Sequence, residues 1–150
     1  MLKGIEISKE YRTYKYVVLF NVDYGWRCGY IGIPEYDKFY KADINDFSDI
    51  DCHGGISFAE FWNELGPDLW WIGFGCNEYN DGWDFDAMRK YKTEAEIDEF
   101  KKYQKNDILI IRKAQCHVWT AEEVEAECKK VIDQLIRLSA NYNSDELTSY

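Results

Sequence analysis

Apolar positions in the first part of the chain fall in short runs broken by turn residues, not at helical spacing. Tyr14–Asn21 (Tyr-Lys-Tyr-Val-Val-Leu-Phe-Asn) is rich in aromatic and β-branched residues and predicts a strand. Val22-Asp23-Tyr24-Gly25 carries turn chemistry, and residues 27–33 resume as a second strand, so the pair predicts a β-hairpin. Pro34 closes it, because proline cannot donate to a ladder. Residues 35–51 lose the pattern and read as a long surface connection with one short helical turn. Residues 50–58 predict a third strand interrupted by Gly54-Gly55, and residues 58–65 a short helix ended by Gly66-Pro67. Leu69-Trp70-Trp71-Ile72-Gly73-Phe74 is dense enough for a central strand buried on both faces.

Helical signals follow. Thr93 with Glu96, and Thr120 with Glu123, form capping-box patterns, the first opening a helix to about Tyr103. After the second, Val124, Cys128, Val131, Leu135 and Leu138 alternate spacings of four and three and make one apolar stripe. Such a stripe packs on a sheet or, less commonly, binds a partner. Ile108-Leu109-Ile110-Ile111 fits a strand or a helix equally. The chain from about residue 140 is polar and reads as a frayed tail. Strands first and helices last predict an α+β fold: an antiparallel sheet with an N-terminal hairpin, covered by C-terminal helices. Residues 1–150 suit a single domain.

Composition narrows the classes. With 12 Tyr, 8 Phe and 6 Trp the chain can bury enough apolar area to offset its conformational entropy, which excludes disorder. A net charge of −10 disfavours direct binding to nucleic-acid phosphates or anionic lipid. No apolar run reaches membrane-spanning or signal-peptide length, and the five cysteines are odd in number. Free buried thiols in a cytoplasmic protein are therefore expected.

Three blocks resemble a family of small proteins, encoded by bacteriophages and mobile elements, with no assigned activity. They are Cys28-Gly29-Tyr30-Ile31-Gly32-Ile33-Pro34, Asp51-Cys52-His53-Gly54-Gly55-Ile56-Ser57-Phe58 and Trp70-Trp71-Ile72-Gly73-Phe74-Gly75-Cys76. The family pattern runs C-G-Y-x-G-x-P, H-G-G, then W-W-x-G-F-D-C-A-H. A closing W-T-x-E-x-V segment is matched by Trp119-Thr120-Ala121-Glu122-Glu123-Val124. The resemblance implies a phage-type protein in the host cytoplasm. This chain departs from the pattern where the family shows Asp and His around the cysteine, having Gly75 and Glu78 instead. Half of any site built on that pair is missing.

Asp51-Cys52-His53-Gly54-Gly55 is the most suggestive chemistry. On a strand Asp51 and His53 share a face, so the carboxylate would orient the imidazole as a general base. Gly54-Gly55 would let backbone approach a ligand, beside Trp70 or Trp71 lining a cleft. The plainer reading is a tight turn with a structural histidine. Cys52-His53 and Cys116-His117 hold both histidines, but a dipeptide on a strand points its side chains apart and no C-x-x-C pair is present. No metal and no cofactor are expected. No Walker, G-x-G-x-x-G or G-x-S-x-G motif occurs.

The carboxylates Asp43, Asp46 and Asp49, with Glu78 and Asp81 further along, are candidate partner-binding residues with Gly54, Gly55, Trp70 and Trp71. The leading expectation is an acidic accessory protein that acts by binding. Its partner would be a host or bacterial protein with a basic surface, nucleic-acid-directed or defensive. The alternatives are a small hydrolase or nucleotide-binding protein using Asp51, His53 and the Gly-Gly turn, and a structural or assembly protein.

Overall fold

The computed structural model describes residues 2–148, with side chains as far as Ala140. Five strands, β1 (Ile5–Tyr11), β2 (Tyr14–Asn21), β3 (Trp26–Ile33), β4 (Phe58–Phe61) and β5 (Trp70–Gly75), form one sheet in the order β1-β2-β3-β5-β4. Every neighbouring pair is antiparallel. Four helices follow: α1 (Phe85–Met88), α2 (Glu94–Tyr103), α3 (Asp107–Gln115) and α4 (Ala121–Thr148). The architecture is α+β, with the N-terminal strands and C-terminal helix where the sequence places them. The tail expected to fray from about residue 140 lies beyond the described side chains.

Alternation along the strands builds the core. Tyr14, Tyr16 and Val18 of β2, Ile31 and Ile33 of β3, and Ile72 and Phe74 of β5 bury one sheet face. On them lie Val124, Cys128, Val131 and Leu135 of α4, each fully buried, so the stripe packs on the sheet. Burial of such side chains contributes roughly 1.5–3 kcal/mol each. Gly29 permits the close approach: a Cβ there would stand 2.7 Å from Cys128 Sγ. The other face carries Val17, Leu19, Trp71 and a cluster in which Tyr30 meets Phe58 and Trp62 edge-on at 5.4 and 5.2 Å. Trp70 and Trp71 face opposite ways, as neighbours on a strand must.

Several expectations are corrected. Strand β1 is added; its turn to β2 uses Arg12 and Thr13 at positive φ (49° and 74°), which suits a two-residue hairpin without the usual Asn-Gly signal. Residues 58–61 are strand, not helix, because Phe58 to Phe61 pair with Gly73 to Trp70. Residues 50–57 form no strand: Gly54 and Gly55 have φ of 71° and 73°, outside the extended region. Residues 108–111 are helical, capped by Asn106 accepting from Leu109 N. The 35–51 connection is less of a surface loop than its charge indicates. It contains the single 3-10 turn Ile44–Phe47 and buries Phe39, Phe47 and Ile50 in the core.

The connection begins at the Pro34 end of the sheet, where Trp70 Nε1 donates to Ala42 O and Tyr14 OH to Asp37. Helices α1 and α2 sit at the other end, packing Ala87, Met88 and Ile97 on Phe20, with Lys92 paired to Asp23 in the hairpin turn.

Candidate functional site

The segment around His53 is strung along α4 by side chains of that helix. Gln134 Oε1 accepts from Asp51 N and its Nε2 donates to Asp51 O, both at 2.7 Å. About two turns nearer the start of the helix, Glu127 Oε2 accepts from His53 N at 2.7 Å. This tether faces the backbone toward α4 and separates the two side chains expected to cooperate. The Asp51 carboxylate is exposed and pairs with Lys130 at 3.3 Å. His53 Nε2 instead meets Asp81 Oδ2 at 2.6 Å, so the imidazole is oriented by a residue 28 positions away.

Asp81 is 3% exposed, and its carboxylate has a full set of donors. Oδ2 accepts from Glu78 N at 2.8 Å as well as from His53, and Oδ1 accepts from Trp119 Nε1 at 3.1 Å. The turn that carries it is held from below by buried Lys113, whose Nζ donates to the carbonyls of Glu78 and Asp81 at 3.0 and 2.8 Å. The Trp119 indole also packs on His53 at a tilt of 37°, ring centroids 4.4 Å apart. Trp119 is placed in turn by Arg27, 6% exposed, whose guanidinium binds Glu6 in a fork at 2.6 and 3.0 Å, Asp84 at 2.7 Å and Trp119 O at 2.9 Å. Burial works against the charge on Asp84, but the Ala87 N–H and the Arg27 guanidinium together hold its carboxyl below the ordinary range.

Because a carboxylate only accepts, the His53 Nε2 carries the proton toward Asp81. Nδ1 makes no hydrogen bond among the described residues and is not a buried unpartnered atom. The ring is therefore oriented by a buried acid, with Nδ1 left for a further partner. Gly54 and Glu78 join this centre: a Cβ on Gly54 would collide with Glu78 Oε1, whereas one on Gly55 meets nothing within 4 Å. The thiols nearby are poor nucleophiles. Burial, then the Glu127 charge, pushes Cys52 up to about 11, and burial followed by Asp81 raises Cys76 further. Among the described residues, no three His, Cys, Asp or Glu side chains gather as a metal-binding group.

The remaining candidates lie elsewhere. Trp71 is buried, donating to Gly66 O at 3.0 Å, and Trp70 donates to Ala42 O, so both indoles are tied to loops other than the Gly54-Gly55 turn. Among the described residues, no hydrogen bond joins either indole to that turn. Asp43, Asp46 and Asp49 are exposed on the connection, Asp43 and Asp46 capping the short turn Ile44–Phe47. Lys113, Trp119 and Arg27 were not legible as site residues. Only the turn at Asn80-Asp81-Gly82 and the Trp119-Thr120 block marked the neighbourhood.

No family model, curated protein or solved structure matches the chain. Among the described residues, no helix is long and apolar enough to cross a membrane.

Proposed function

We propose that the protein works by binding, presenting the acidic connection of residues 35–51 to a basic surface on a partner protein. The observation that carries this reading is the exposure of Asp43, Asp46 and Asp49 beside exposed Tyr36 and Ile44, on a segment anchored in the core through Phe39 and Phe47. Carboxylates on a rigid support lose little conformational freedom on docking, and their field steers a cationic partner. The resemblance to phage-type proteins makes a host nucleic-acid-directed or defence protein the natural class of target. Capture from bacterial lysate at low and high salt tests it. Partners released by salt, and lost with Asp46→Lys/Asp49→Lys, support it, and a salt-insensitive or absent partner overturns it.

The His53–Asp81 pair favours a second reading, in which His53 Nδ1 acts as a general base toward water or a bound hydroxyl. A raised thiol at Cys52 and Cys76 leaves water, not cysteine, as the nucleophile in that case. His53→Gln would abolish turnover of a hydrolysable substrate panel while leaving the fold intact; equal activity in the variant rules the reading out.

A further inference from the structure

Charge is unevenly placed in this molecule. Although the chain carries −10 overall, residues 101–113 hold five Lys or Arg against one acid, Asp107. The same helix–turn–helix corner exposes large apolar side chains: Tyr103 is 81% exposed, Ile108 80% and Ile111 59%. Ile108 and Ile111 are three apart on α3 and so share a helix face. That helix is fastened through a different set of residues, with Arg112 over the Tyr79 ring at 3.6 Å and bonded to Asn80, and Lys113 on the 78–81 carbonyls. The apolar face is thus left outward, on a firmly held element. Exposed apolar side chains grouped in this way mark an interaction surface.

A surface with matching chemistry exists on the same chain. The 35–51 connection exposes Tyr36 (83%) and Ile44 (40%) among Asp43, Asp46 and Asp49. The two patches lie at opposite ends of the sheet, since the α1–α2 unit leading to α3 packs on the β2–β3 turn and the connection starts beyond Ile33. Eight residues of β3 separate those ends by about 25 Å. One molecule cannot bring its own patches together, but two can.

We propose that the basic, apolar corner formed by the end of α2 and by α3 docks on the acidic connection of a second copy, head to tail. Tyr103, Ile108 and Ile111 supply the apolar centre with Lys102 and Lys105 at the rim, and Tyr36, Ile44 and the three aspartates receive them. Two different patches meeting in this way form a heterologous contact, which adds copies until a ring closes or a filament grows. Self-docking covers the acidic face assigned to a foreign partner above, yet it needs no foreign partner and is testable with the purified chain alone.

Sedimentation velocity of the full chain decides it, run across concentration at about 0.01 M and about 1 M salt, where the screening length falls from about 30 to about 3 Å. The mass is expected to rise above 17.8 kDa with concentration at low salt and to fall toward that value at high salt. Two variants at exposed positions, Ile108→Glu/Ile111→Glu and Ile44→Lys/Asp46→Lys/Asp49→Lys, are each expected to be monomeric, with circular dichroism like that of the parent. Mixed in equal amounts they should recover association that stops at two chains, because one intact corner then meets one intact connection. A parent chain that stays at 17.8 kDa throughout overturns the proposal. So does a mixture that fails to associate, and so does self-association of the Ile44→Lys/Asp46→Lys/Asp49→Lys variant alone, the result expected if α3 pairs with α3.

Discussion

Cys52-His53 and Cys116-His117 are the same dipeptide, and both imidazoles rest against one indole, Trp119, at 4.4 and 6.0 Å. Their surroundings differ completely. His53 is 24% exposed and bonded to Asp81, itself buried and supplied with two further donors. His117 is 60% exposed and bonded to Glu123 in the first turn of α4, at 2.8 Å. The difference lies in the acid, not in the histidine. A buried carboxylate that three donors fix orients its partner, whereas a half-exposed one at a helix start holds its partner at the surface. A motif search that scores Cys-His alike at both positions cannot separate them, because neither dipeptide contains the group that decides its role.

Removing the buried acid should break the contrast most strongly. Asp81→Ala strands the His53 Nε2, Glu78 N and Trp119 Nε1 donors and leaves Lys113 beside an emptied turn, so a loss of about 3–5 kcal/mol is expected in denaturant unfolding. Glu123→Ala, which removes a half-exposed cap, should cost about 1 kcal/mol. Comparable losses from the two variants would mean that the Asp81 network contributes no more than a helix cap.

The histidines themselves form the next comparison. His53→Ala should lower stability by about 1–3 kcal/mol, through the lost Asp81 bond and Trp119 contact. His117→Ala should stay within about 0.5 kcal/mol of the parent. Tryptophan fluorescence sharpens this test, since His53 lies closer to the Trp119 ring than His117 does and its removal should change the emission more.

The smallest effect is in pH. Burial opposes ionisation of Glu123, but the Thr120 backbone N–H and His117 outweigh it and hold the carboxyl below its ordinary value of 4.5. A depressed carboxyl stabilises the fold above its unfolded value, and that contribution is lost as pH falls through the folded one. Melting curves from about pH 5 to about pH 3 should therefore slope less in Glu123→Gln than in the parent. An unchanged slope would remove Glu123 from the acid response.

Much of the fold was legible because it follows from local pattern. The β2–β3 hairpin, the central β5, both capping boxes and the α4 stripe each rest on residues within one element. What failed did so for reasons of context. Phe58–Phe61 reads as helix until β5 offers it a ladder, and Ile108 to Ile111 has no period of its own. Strand β1 escaped notice because its turn puts Arg12 and Thr13 at positive φ, a conformation those residue types do not announce.

The candidate site divides the same way. His53, its Gly-Gly turn and the acidic connection stood out in the chain by residue type alone, as did the burial of a long apolar stripe. The identity of the carboxylate beside His53 did not. Asp51, two residues away, is the nearer acid in sequence, but Gln134 and Glu127 bind the intervening backbone and turn the imidazole toward Asp81. Spacing along a chain determines which side chains share a face within an element. Which acid and which base meet is settled by long-range packing, where Arg27, Lys113 and α4 bring together segments that no local rule connects.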